Sequence, residues 1–179
     1  MLQSDEMLLC TMRKCFCALL LLATMQTSAA AQPADNAQVS SAMTNIDLQQ
    51  QAATEITRLH DFFQAWYRGE LEATAFSSFE HALDESFQII TPDGNLLPRE
   101  RILHAVRQQA GSDASALLEI RHVEPVAVDQ HIAVFRYQEW QSSTDEAPRG
   151  RLSTVVFQRD DEASNGLIWL QVHETWLPE

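Results

Sequence analysis

Between Asp47 and Arg68 the apolar residues Leu48, Ala52, Ile56, Leu59, Phe63 and Trp66 recur at steps of four, four, three, four and three. That rhythm keeps one stripe of an α-helix apolar from end to end. The predicted helix is roughly 33 Å long. Thr44 or Asn45 can cap its start, and Gly69 suits its end. A second, shorter helical pattern covers Glu70–Leu83, with Phe76, Phe79 and Leu83 on one side. Phe87–Thr91 then reads as a strand, Pro92-Asp93-Gly94-Asn95 as a turn and Leu96-Leu97 as a brief returning strand. Pro98 suits the first position of a third helix that runs to Ala110 and closes at Gly111.

From Leu117 the pattern changes to long strands. Leu117–Val128, His131–Ser142, Arg149–Arg159 and Leu167–Leu177 are separated by Asp129-Gln130, by Asp145 to Pro148 and by Ser164-Asn165-Gly166, turn compositions at hairpin spacing. An eleven-residue strand reaches roughly 36 Å, which matches the first helix. Helices followed by a meander predict an α+β domain, a curved antiparallel sheet wrapped around the long N-terminal helix. Two-residue alternation puts Ala133, Phe135, Tyr137, Glu139 and Gln141 on one side of their strand. In the last strand it groups Ile168, Leu170, Val172, Glu174 and Trp176, against Trp169, Gln171, His173 and Thr175.

The region before the first helix reads differently. Met12-Arg13-Lys14, the apolar run Cys15–Met25 and the small residues Thr27–Ala31 follow the order of a secretory signal, with cleavage expected after Ala31. Asp5 and Glu6 precede the basic pair, so Met12 makes the cleaner start. The run is shorter than the ~20 residues a membrane span needs, so no insertion is expected after cleavage. Residues 32–45 read as a flexible tether and 46–179 as one domain, periplasmic or secreted. Cys10, Cys15 and Cys17 all lie in the leader, which leaves the mature chain without a thiol nucleophile or disulfide. The net charge of −13 disfavours nucleic acid as a partner.

The long helix ending in Trp66-Tyr67, the stretch from Ser86 to Leu103 and the closing strand with Trp169, His173 and Trp176 resemble the SnoaL-like branch of the nuclear transport factor 2-like (NTF2-like), or ketosteroid isomerase-like, superfamily. The resemblance implies a cone-shaped roll with a cavity at its mouth. It also implies chemistry that varies with a few inward side chains, so the fold alone does not name the function. Ketosteroid isomerase uses an Asp base with Tyr and protonated-Asp donors. That set has no clear counterpart here, because neither His131–Ser142 nor Leu167–Leu177 contains an Asp.

Glu139 and Glu174 each stand near the end of an otherwise apolar strand face. A buried carboxylate either pairs or takes up a proton. Arg136, Arg149 and Arg151 are the partners on offer for a plain ion pair. A carboxyl left unpaired would suit acid–base work, with His173 as the companion that titrates near neutrality. Trp66, Tyr67, Phe87, Phe135, Tyr137, Trp169 and Trp176 can line an apolar pocket or simply fill the core, and Gln141, Arg151 and Glu174 can supply its polar contacts. No HxH or HxxxH pair is present, nor a phosphate-cradling loop, so no metal or cofactor is expected. The leading expectation is a domain binding a small apolar or aromatic molecule. The alternatives are a lyase, isomerase or cyclase using His173 and Glu139, and a homodimerising association module. A homodimer fits all three.

Overall fold

In the computed structural model the described residues are 34–144 and 147–178, with side chains described from Asp47 onward. The expected leader lies outside them. Helix α1 (Ala34–Arg68) is 35 residues long, about 50 Å. It begins at Ala34, so most of the stretch read as a tether is helical. A single 3₁₀ turn at Ala73–Ala75 leads into α2 (Phe76–Ala82), and strand β1 (Leu83–Ile90) turns back through β2 (Leu96–Pro98). Helix α3 (Arg99–Gln108) precedes the meander β3 (Leu117–Val128), β4 (Ile132–Ser142), β5 (Arg149–Arg159) and β6 (Leu167–Trp176).

The six strands form one curved, unclosed sheet in the order β2-β1-β6-β5-β4-β3. The α+β roll is therefore as expected, with one change of direction. β1 pairs with β6 in parallel, so the sheet is mixed rather than wholly antiparallel. The reason is connectivity. β1 reaches β6 only through the rest of the chain, and no hairpin dictates their relative direction.

The apolar stripe of α1 is buried through Leu48, Ala52, Ile56, Leu59 and Trp66 as its spacing predicts, but in its later turns Phe62 is the buried phenylalanine and Phe63 is only partly buried. It packs on Phe135, Phe157, Val155, Trp169 and Val172 of the sheet, with Phe76 and Phe79 of α2 closing the other side. Polar groups stitch the helix to the sheet in sequence along its length. Gln51 exchanges hydrogen bonds with Asn165 in the β5–β6 turn, at 2.6 and 3.0 Å. Trp169 of β6 donates to Glu55 at 3.1 Å, and His60 meets Glu139 of β4 at 3.0 Å. The Leu118 amide of β3 donates to Gln64 at 2.9 Å, and Arg68 donates to the Ala116 carbonyl at 2.7 Å. The helix thus crosses the sheet from β6 towards β3. At its end Gly69 and Gly111, both at positive φ, come so close that a Cβ on Gly69 would sit 3.2 Å from the Gly111 Cα.

Candidate functional site

Strand β4 alternates as expected, with Ala133, Phe135, Tyr137 and Glu139 buried on the inner face. Strand β6 does not. Its partners on β5 run Val156↔Gln171 and then Phe157↔Trp169, so Leu170 is an extra, unpaired residue. Such a bulge resets the alternation. Trp169, Val172 and Glu174 therefore all face inward, whereas His173 is exposed on the outer face opposite Thr154. The expected grouping of Trp169 with His173 is corrected by this one residue. It also separates the expected His173–Glu139 pair, which lies on opposite faces of the sheet.

Glu139 has a different histidine. His60, on the stripe of α1, places Nε2 3.0 Å from Glu139 Oε2 and Nδ1 2.7 Å from the Ile56 carbonyl. Both ring nitrogens face oxygen acceptors. A neutral imidazole can donate to one of them, its doubly protonated form to both. Arg151 of β5 donates from Nε and Nη2 to both oxygens of Glu139, at 3.1 and 2.7 Å, and from Nη1 to Glu174 at 3.0 Å. Gln141 adds a fourth donor to Glu139, at 2.6 Å. Of the three arginines weighed from sequence, Arg151 is the one that pairs with these carboxylates. Arg136 turns to Glu124, and Arg149 lies over the Trp176 ring at 3.4 Å.

The environment sets the two carboxyls apart. Burial pushes Glu139 up, but His60 and Arg151 outweigh it and hold Glu139 well below the usual carboxylate range. Glu174 is also pushed up by burial. Arg151 and, less, His60 draw it down while Glu139 repels, and it stays above the usual range. Tyr67 is pushed up to about 12, by burial and then by the Glu139 charge, so its hydroxyl keeps its proton. The guanidinium of Arg151 is lowered by burial and raised more by its two carboxylates.

Tyr67 and Gln141 line a cleft of about 170 Å³ together with Gln109, Ser112, Asp113 and Leu118. The Phe63 and Tyr67 rings lie parallel, 8° apart in plane and 6.1 Å between centroids. The remaining aromatic candidates fall elsewhere. Phe87, Phe135 and Trp169 are core, and Trp66 is core with its indole N–H on the Val106 carbonyl. Tyr137 is buried beneath the cluster, edge-on to His60. Trp176 sits half-buried at the end of β6, donating to Asp93 at 3.2 Å. Among the described residues no group of His, Asp, Glu or Cys is placed to hold a metal ion. His60 was missed from the sequence although the signal was there, since it stands four residues after Ile56 and three before Phe63, on the buried stripe.

Comparison with known proteins agrees with this fold. An NTF-2 like protein of unknown function from Pseudomonas aeruginosa superposes with a TM-score of 0.67 at 29% identity, covering 72% of this chain and 99% of that one. The CamKII hub homology domain of Chlamydamonas reinhardtii does so at 0.53 and 17% identity, covering 71% and 99%. The NTF2-like fold is thereby established. In sequence, Sucrose-phosphatase 2 of Nicotiana tabacum is 22% identical over 134 residues, 70% of this chain and 30% of its own length. Sucrose-phosphatase 1 of the same plant is 23% identical over 129 residues, again 30% of its length. The chain thus spans under a third of these relatives. Residues 52–178, which carry α1 from Ala52, the whole sheet and the Glu139 cluster, match the sucrose-6-phosphate phosphohydrolase C-terminal family, and the chain belongs to that family.

Proposed function

We propose that the domain binds a small molecule in the cleft lined by Tyr67 and Gln141. The ligand has an apolar or aromatic body and one or two polar groups. The observation that carries this reading is the cleft lined by Tyr67 and Gln141, because Gln141 joins it directly to the Glu139 cluster. Ligand sites of this kind combine an aromatic wall with a few oriented polar groups. Ligand-observed NMR with a set of small aromatic alcohols tests it on the mature protein and on Gln141→Ala. Hits that weaken in the variant are expected, and hits that are indifferent to it contradict the reading.

A second reading has one observation in its favour. On the outer face of the sheet Val134, Leu152, Val156, Ile168 and Leu170 are only half-buried. Partly open apolar surface of this sort suits a homodimer, and the similarity to a hub homology domain is compatible with association. Sedimentation equilibrium decides it: dimers support an association role and a monomer at all concentrations removes it. An acid–base enzyme built on His173 and Glu139 has less support, because the two face opposite ways. The reaction of the sucrose-phosphatases is not carried over from a match to under a third of their length.

We also propose export, on the leader read from residues 12–31. The secreted or periplasmic product should begin near Gln32. A product that retains Met1 or Met12 contradicts it.

A further inference from the structure

Provided that the cleft is the binding site proposed above, its walls define the size and charge of the ligand. Its volume of about 170 Å³ is close to the ~150 Å³ that holds one benzene molecule. The body of the ligand is therefore a single ring or a short chain. Asp113 is the one charged side chain among the described lining residues. The polar remainder, Gln109, Ser112, Gln141, Ser142 and Ser143, is neutral. Arg68 donates to the Ala116 carbonyl at 2.7 Å and lies 3.8 Å from Glu70, and it does not line the cleft.

Three of the lining side chains hold acceptors in reserve. Asp113 Oδ1 takes the Ser115 amide and hydroxyl at 2.9 and 2.8 Å, which fixes the carboxylate, and among the described residues Oδ2 has no hydrogen-bond partner. Gln141 spends an N–H on Glu139, and its carbonyl oxygen has no partner among the described residues. The Tyr67 hydroxyl keeps its proton, yet its oxygen still accepts. Burial holds that proton in place, and of the charges around it Glu139 acts more strongly than Arg151, with Glu174 on the side of Glu139. The cleft thus lies in a negative field. An ammonium group matches this set, because it has three N–H donors and no acceptor. A carboxylate or phosphate would meet Asp113 with no lining cation among the described residues to offset it. The net charge of −13 acts in the same direction.

We infer that the cleft takes a small primary amine in its ammonium form, on a body no larger than one ring, held by the Asp113 carboxylate with Tyr67 and Gln141 as neutral acceptors. The test is an NMR titration of the ¹⁵N-labelled mature protein with benzylamine, benzyl alcohol and benzoate, which share one body and differ in charge. Benzylamine should bind about tenfold more tightly than benzyl alcohol, the worth of one hydrogen bond to a charged group, and benzoate more weakly than either. Asp113→Asn keeps the oxygen that Ser115 uses and removes the charge. It should weaken benzylamine about tenfold and leave benzyl alcohol unchanged. Gln109→Lys, which adds a cation at an exposed lining position, should weaken benzylamine as well. Benzyl alcohol or benzoate binding as tightly as benzylamine, or benzylamine indifferent to both variants, would overturn the inference and leave the binding cleft standing. No binding by any of the three removes both.

Discussion

Burial and pairing pull Glu139 in opposite directions, and pairing wins because four donors converge on two oxygens. Removing one partner of a buried charged set leaves the others exposed to the full cost of burial. Glu139→Gln keeps the shape but turns an amide N–H₂ towards donors, and it strands Arg151 and His60. We predict a loss of roughly 3–5 kcal/mol of stability, read from urea unfolding. A loss under about 1 kcal/mol would show that the cluster carries little of the fold. The sequence disclosed Glu139, Glu174 and Arg151, because each sits at a definite place in a strand pattern. It did not disclose His60 as their partner. A lone histidine on an apolar helix face has the same spacing whether it is core or part of a site, and only the crossing of α1 over β4 joins residues 60 and 139.

At the scale of elements, α1 and the four long strands were legible from their periods, and the boundaries of those four strands differ from the expected ones by a residue at most, whereas β1 starts at Leu83, four residues before the expected Phe87. The bulge in β6 was not legible. One extra residue within a run of strand-forming side chains leaves no mark in composition, yet it decides whether Trp169 joins Glu174 or His173. The parallel entry of β1 was hidden for a related reason, since no turn links it to β6. The bulge has a direct consequence. Beyond it each residue's face is fixed, so inserting one residue between Val172 and His173 would reverse the alternation and force either Trp169 or Glu174 off the inner face. Trp169 is 2% exposed and holds Glu55. Losing such a buried aromatic costs roughly 3–5 kcal/mol. The insertion variant should therefore unfold well below the parent in a thermal melt followed by tryptophan fluorescence. Unchanged melting would mean that β6 has no fixed register.

For the whole molecule, the inner cluster should govern how stability varies with pH. Glu174 has a folded-state pKa above its unfolded value of about 4.3, so between those values the folded state holds more protons and stability falls as pH rises. Glu139 has the opposite sign. Its contribution is present above about pH 4.3 and is lost as pH falls towards its depressed folded value. The two together place the stability maximum on the mildly acidic side of neutrality. A net charge of −13 adds self-repulsion at neutral pH and acts in the same direction as Glu174. The most direct check of the network that ties α1 to β4, β5 and β6 is urea unfolding from about pH 3 to about pH 8, on the parent and on Glu174→Gln. The structure predicts a dome for the parent, with a steep acid limb, and a flatter decline above about pH 4.3 once Glu174 is replaced. A parent whose stability climbs steadily into neutral pH, with a profile untouched by the replacement, would contradict it.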